Sequence, residues 1–333
     1  MKKSSRSLSL LLLSVSLMLA CAKEELETNA KIKIGFLVKQ PEEPWFQAEW
    51  KFAELAARDF NFDLIKIGAT DGEKTLAALD NLAANGAKGF VICTPEVRLG
   101  PAIKAKAESY GMKFMAVDDQ FVGAEGAFMS EVHYLGLSPR KIGEMAGRKL
   151  YEEMQRRNWP VTEVAVCAST FEELHTAKER TEGAISALID AGFPADKIYK
   201  AANKTTDIPG SFDATNILLT QHPEVKRWLV LGMNDNAVLG AIRALEGRGF
   251  EASNVLGIGI NGTDCRAEFE KSTATGFFGS ILLSPKRHGY DTAAMIYKWI
   301  AEGVAPPLET RIEEGVLLTR ENFREILREH GIP

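Results

Sequence analysis

From Lys31 onward, short apolar runs alternate with longer segments of helical spacing, and this alternation constrains the fold of the 333-residue chain more than any other feature. Strands separated by helices favour parallel pairing, because parallel neighbours need a crossover of a dozen or more residues. The runs Ile32–Val38, Leu64–Gly68, Gly89–Thr94 and Lys113–Asp118 read as strands. Between them, Ala48, Phe52, Leu55 and Ala56 share one helical face. Leu76, Leu79, Leu82 and Ala83 share another, with Asp71 as N-cap and Gly86 as stop. The rhythm restarts after Asp118. Pro139, behind Ser138, opens a helix to about Arg157. Strand candidates follow at Glu163–Ala168, Lys197–Ala201, Arg227–Leu231, Val255–Ile260 and Thr275–Ile281. Gly192 and Gly247 stand where helices should stop, and a last helix is predicted from about Pro285 to Ala301. A single core rarely grows past ~250–300 residues. The expected fold is therefore α/β, with two lobes, each a doubly wound parallel sheet. No low-complexity linker parts them, so the chain should cross between lobes more than once.

The first twenty residues stand apart. Lys2, Lys3 and Arg6 precede an apolar run from Leu8 to Ala20, broken only by serines, and Cys21 and Ala22 follow. This pattern marks residues 1–22 as an export signal. Ala20-Cys21-Ala22 fits ordinary cleavage before Lys23. Met18-Leu19-Ala20-Cys21 also fits lipid attachment at Cys21, which would anchor the protein to a membrane. Loss of the leader's three cations takes the net charge from -5 to -8, a balance that argues against nucleic acid as a partner. Cys93, Cys167 and Cys265 remain, an odd number that reads as buried free thiols and not as a disulfide framework. The five histidines are scattered, with no HExxH or CxxC spacing, so no metal site is expected.

In open parallel sheets, ligands sit beyond the carboxyl ends of the strands. Reading each strand end gives Lys39 with Glu43, then Cys93, Asp118 with Asp119, Met233 with Asn234, and Asn261. Trp45 and Phe46 lie beside the first pair. An aromatic ring covers the apolar C–H face of a sugar, while Lys donates to hydroxyls and Glu accepts from them. Asp carboxylates accept strong bonds, and an Asn amide both donates and accepts. Arg180, near a helix start with Thr176, carries a planar fork of donors suited to a ring oxygen and a neighbouring hydroxyl. Each residue also has a plain structural reading. Trp45 could be a buried helix start, Asp118-Asp119 a cap or turn, Arg180 a surface ion pair and Asn261-Gly262 a turn. The sequence leaves room for Glu43 and Asp118 or Asp119 as a glycosidase pair, which needs carboxyls roughly 5–9.5 Å apart. Gly257-Ile-Gly259-Ile-Asn-Gly262 matches GxGxxG by spacing. Its first two glycines lie inside a strand, and Ser280–Leu283, ~20 positions on, is not acidic. Close packing explains those glycines better.

Several stretches, in this order, resemble the L-arabinose-binding family of periplasmic proteins that serve bacterial ABC sugar import. They are Gly35–Gln47, Gly86–Pro95, Ala116–Val122, Asp207–Ala214, Gln221–Lys226, Gly232–Asp235 and Gly257–Gly262, and they run across nearly the whole mature chain. The resemblance implies a type I periplasmic-binding fold with three crossovers. It implies an N-terminal lobe of residues 31–137 plus 284–312 and a C-terminal lobe of 138–283 plus 313–333. It also implies Lys39, Glu43, Asp118, Asp119, Arg180, Asn234 and Asn261 as sugar contacts, with Arg180 on the ring oxygen and Asp119 on the anomeric hydroxyl. Trp45, Phe46, Cys93, Leu174, Thr176 and Met233 would line the pocket. Leu137 stands where the family has Met beside the sugar, and Leu283 where it has a hinge Pro. The choice among L-arabinose, D-galactose and D-fucose is therefore open.

The expectation is binding without catalysis and without a cofactor. A monomer outside the cytoplasm would take up a monosaccharide and hand it to the membrane subunits of an ABC importer. A sensor presenting sugar to a chemoreceptor and a sugar-active enzyme are the alternatives.

Overall fold

The computed structural model describes residues 31–332, so the readings of residues 1–22 and of Cys21 fall outside the described residues. Strands β1 (Lys33–Val38), β2 (Asp63–Gly68), β3 (Gly89–Ile92), β4 (Lys113–Val117) and β5 (Tyr134–Leu137) belong to one sheet. Strands β6 (Val164–Thr170), β7 (Ile198–Ala202), β8 (Arg227–Gly232), β9 (Val255–Asn261) and β10 (Phe277–Leu282) belong to a second. β11 (Glu309–Ile312) then joins the first beside β5, and β12 (Val316–Thr319) joins the second beside β10. The orders are β11-β5-β4-β3-β1-β2 and β12-β10-β9-β8-β6-β7. Only β12 runs antiparallel to its neighbour. The chain thus passes between the two α/β lobes three times: after β5, after β10, and between Ile312 and Val316.

Helices fill the crossovers. They are α1 (Pro44–Asp59), α2 (Gly72–Ala84), α3 (Gly100–Ser109), α4 (Pro139–Arg156), α5 (His175–Asp190), α6 (Ile208–Gln221), α7 (Asp235–Gly247), α8 (Arg266–Phe269), α9 (Thr292–Glu302) and α10 (Phe323–Glu329). The Asp71 side chain caps α2 by accepting from Lys74 N at 2.8 Å, and Gly86 and Gly192 take positive φ beyond the ends of α2 and α5. The stop expected at Gly247 falls slightly later: α7 includes Gly247, and Gly249 adopts φ 84°. The helix expected from Pro285 opens with a π-helical turn, Arg287–Asp291, before α9.

Both sheets are buried on two faces, and the strands show it by alternation. Ile34, Phe36 and Val38 of β1 pack with Trp50, Ala53 and Ile296, while Leu37 turns to Leu79, Leu82 and Ile103. In β6, Val164, Val166 and Ala168 face the α4–α5 side, and Ala165 and Cys167 face α6 and α7. Each fully buried Leu or Phe contributes about 1.5–3 kcal/mol.

Helices α4 and α5 approach closely because glycines line their contact. A Cβ at Gly143 would lie 2.0 Å from the Arg180 carbonyl oxygen, and one at Gly147 would lie 2.3 Å from that of Ala184. This contact holds the helix that carries Thr176 and Arg180. Gly259 on β9 has a comparable role, since a Cβ there would meet the Asp235 carboxyl at 2.2 Å. Cys93, Cys167 and Cys265 are buried and free.

Candidate functional site

The residues beyond β1 and β4 of one sheet and β8 and β9 of the other meet at one cavity of about 60 Å³. Lys39, Glu43, Trp45, Phe46, Asp118 and Asp119 line it from the first lobe. Leu174, Thr176, Arg180, Met233, Asn234 and Asn261 line it from the second. The space exceeds the ~10–15 Å³ needed to hold one water, and its walls are mainly polar.

Asp119 is the most heavily bonded group. It pairs with Lys39 Nζ at 2.5 Å within its own lobe and accepts from Thr176 Oγ1 at 2.6 Å across the cleft. Burial opposes both charges of the Lys39–Asp119 pair, and their mutual attraction outweighs it. The Asp119 carboxyl lies below the ordinary carboxylate range and the Lys39 ammonium above its ordinary value. Asp118 turns elsewhere. Its backbone takes the left-handed φ of 70°, and Tyr134 Oη donates to its carbonyl at 2.8 Å. Its carboxylate accepts from Trp45 Nε1 at 3.3 Å. Trp45 is set by the start of α1, where Pro44 takes the first helical position.

On the facing lobe, α5 brings Thr176 and Arg180 to the cavity from its first turns. Arg180 Nη1 donates to Met233 O at 3.0 Å and to Asn261 Oδ1 at 3.5 Å, while its Nε is buried without a partner. Asn234 is the N-cap of α7, accepting from Ala237 N at 2.8 Å and donating to Thr206 O at 3.0 Å. It is thus both a cap and a wall of the cavity. Glu43 accepts from Gln40 Nε2 at 2.8 Å and from Asn236 Nδ2 of the facing lobe at 3.5 Å.

Two sequence candidates stand back from the cavity. Cys93 Sγ lies 3.9 Å and 4.0 Å from the carboxylates of Asp118 and Asp119, and burial pushes its thiol well above the ordinary range. Leu137 ends β5 and packs in the core with Ile142, Leu283 and Ile312, outside the cavity lining. Conversely, Gln40, Ala177 and Thr206 line the cavity although sequence reading had not singled them out. His288 is a further omission. It is fully buried, its ring meets Trp45 edge-on at 5.2 Å, and its Nε2 lies 3.7 Å from Asp118 Oδ1. Burial holds it below the ordinary histidine range against the pull of Asp118. It sits in the π-helical turn and follows no strand, so neither a strand end nor a motif marks it. Among the described residues, no cluster of three or more His, Cys, Asp or Glu could hold a metal ion.

Residues 31–325 match the family described as periplasmic binding proteins and sugar binding domain of LacI family. The chain belongs to this family. It is 55% identical over 314 residues to the L-arabinose-binding periplasmic protein of Escherichia coli strain K12, covering 94% of this chain and 95% of that one. It is 47% identical over 305 residues to an ABC transporter L-arabinose-binding periplasmic protein of Azospirillum brasilense, covering 91% of each. Among solved structures, an ABC transporter periplasmic solute binding protein of Actinobacillus succinogenes superposes with TM-score 0.74 at 21% identity, over 89% of this chain and all of that one. The two sequence relatives are named as binding proteins, and this chain, of the same family, is a binding protein and not an enzyme. No helix among the described residues is long and apolar enough to cross a membrane.

Proposed function

We propose that this protein captures a monosaccharide between its two lobes, with L-arabinose preferred over D-galactose and D-fucose, and delivers it to the membrane subunits of an ABC importer. Two relatives named for L-arabinose binding, at 55% and 47% identity, support the choice of sugar. One observation carries the reading: carboxylate, ammonium, guanidinium and amide groups from both lobes converge on one small cavity. Hydroxyls would donate to Glu43, Asp118 and Asp119 and accept from Lys39, and Asn234 and Asn261 can serve either way. Arg180 would reach the ring oxygen, and Trp45 and Phe46 would cover the C–H face. A buried hydroxyl left unpaired costs about 1–3 kcal/mol, so a dense polar set selects for hydroxyl pattern. Because the set is divided between lobes, a sugar on one lobe completes its bonds only when the other closes.

Leu137 acts on this site from behind, through the core that supports β5. Leu283 donates its N–H to Asn261 O at 3.1 Å, a bond that a proline there could not make. We assign residues 31–137 plus 284–312 to one lobe and 138–283 plus 313–333 to the other. The protein acts as a monomer outside the cytoplasm, either free after cleavage before Lys23 or held at the membrane by a lipid on Cys21. Presentation of the loaded form to a chemoreceptor is compatible with the same site.

Calorimetric titration with L-arabinose, D-galactose, D-fucose, D-xylose and D-ribose tests the assignment. L-Arabinose should give a saturable heat and the lowest Kd. Silence with all five, or tightest binding of D-ribose, would contradict it.

A further inference from the structure

Between β4 and β5 the first lobe sends a short hairpin toward the second. Gly123 N donates to Ala127 O at 2.8 Å and Gly126 N to Gly123 O at 3.0 Å, with Gly126 in the left-handed region at φ 83°. Val122 and Phe128 pair as an antiparallel bridge, and Met129 N donates to Phe121 O at 2.9 Å. Phe121 and Met129 are buried in the core of the first lobe, so the arm has a fixed root. Neighbours along an extended segment point to opposite sides, so Phe128 turns outward where Met129 turns in. Phe128 keeps 40% of its surface exposed, and its ring contact lies on the other lobe. It stands edge-on to His175, the exposed first residue of α5, with ring centres 5.0 Å apart and planes at 71°.

This contact borders the sugar cavity. His175 adjoins Thr176, whose hydroxyl bonds Asp119 across the cleft at 2.6 Å. A chamber of about 350 Å³ flanks the cavity. Asp119, Leu174 and Thr176 line both spaces, while Phe128 and His175 line the chamber alone. A sugar leaving on this side passes between those two rings. We propose that Phe128 and His175 form a latch over this outlet, closed by the same lobe movement that completes the sugar's bonds, and that the latch slows the sugar's release. This rests on the monosaccharide reading of the same site. The two rings belong to different lobes and meet only when the cleft is shut, so their contact stabilises the closed form and adds nothing to either lobe alone. It acts on release and not on capture, because association starts from the open cleft, where the rings are apart. An edge-on aromatic pair shifts an equilibrium by about 2- to 12-fold, and the exposure of both rings places this one near the low end.

The test is stopped-flow kinetics of the full exported protein with L-arabinose, reading tryptophan fluorescence, with Trp45 in the cavity wall as reporter. Phe128→Ala should raise the release rate about threefold and leave the association rate unchanged. His175→Ala should do the same. The double variant should release no faster than the quicker single variant, because either deletion undoes the same contact. Without sugar, the unfolding midpoints of all three should match the parent, which separates a lost latch from a damaged lobe. A release rate within about 1.5-fold of the parent in either single variant, or a double variant whose increase is the product of the two singles, would overturn the proposal while leaving the sugar reading intact. Failure of the parent protein to bind any of the five sugars in calorimetry would overturn both.

Discussion

Thr176→Val removes one oxygen and changes little else. In the parent, Thr176 Oγ1 donates to Asp119 Oδ1 at 2.6 Å, and the bond joins the two lobes directly. A hydrogen bond to a charged group is worth about 1.5–3 kcal/mol net. The bond exists only when the cleft is shut, so its loss should appear in the closing equilibrium and hence in sugar affinity. The range corresponds to about 10- to 150-fold in Kd. Asp119 keeps its pairing with Lys39 and is not left as an orphaned buried charge, which places the expected loss at the low end, about tenfold. Each lobe's own core is untouched, so the unfolding midpoint without sugar should stay within about 2 °C. Calorimetry with L-arabinose and thermal unfolding read the two quantities separately. An affinity within twofold of the parent would refute the reasoning, as would a fall in midpoint with affinity unchanged.

Two further outcomes follow from the packing. Gly143→Ala puts a methyl 2.0 Å from the Arg180 carbonyl oxygen, so α4 and α5 must part; denaturant unfolding should show a loss of about 1–3 kcal/mol, with weaker sugar binding as Arg180 moves. Glu49 is fully buried, and neither carboxyl oxygen has a hydrogen-bond partner. Burial, and then Asp118, hold it well above the ordinary range. The stability it contributes as a neutral acid is complete below its unfolded value of about 4.3 and is lost as pH rises through the raised folded value. Glu49→Gln should therefore raise the unfolding midpoint at pH 8 and make little difference at pH 4, as checked by scanning calorimetry at both.

The sequence showed nine of the twelve strands among the described residues and missed three four-residue ones, β5, β11 and β12. β1, β3, β6, β8 and β9 are buried along nearly their whole length, so they read as continuous apolar runs. β5 is buried but only four residues long, and β11 and β12 are four-residue edge strands with exposed positions, among them Glu309 and Arg311. They carry too little apolar pattern to separate from loops, and tertiary pairing defines them. The candidate site was legible where a polar residue follows a buried strand, as Lys39, Asp118, Asn234 and Asn261 do. It was illegible where a helical segment delivers a residue from the side, as with His288 and Ala177. Those juxtapositions are set by tertiary packing and leave no spacing within a single segment.

A crystal structure with L-arabinose bound tests the central claim most directly. Lys39, Glu43, Asp118 and Asp119 should contact one side of a single ring, with Arg180, Asn234 and Asn261 on the other and each ring hydroxyl bonded to at least one of them. A sugar held by one lobe alone, or lying elsewhere with these side chains turned apart, would contradict it.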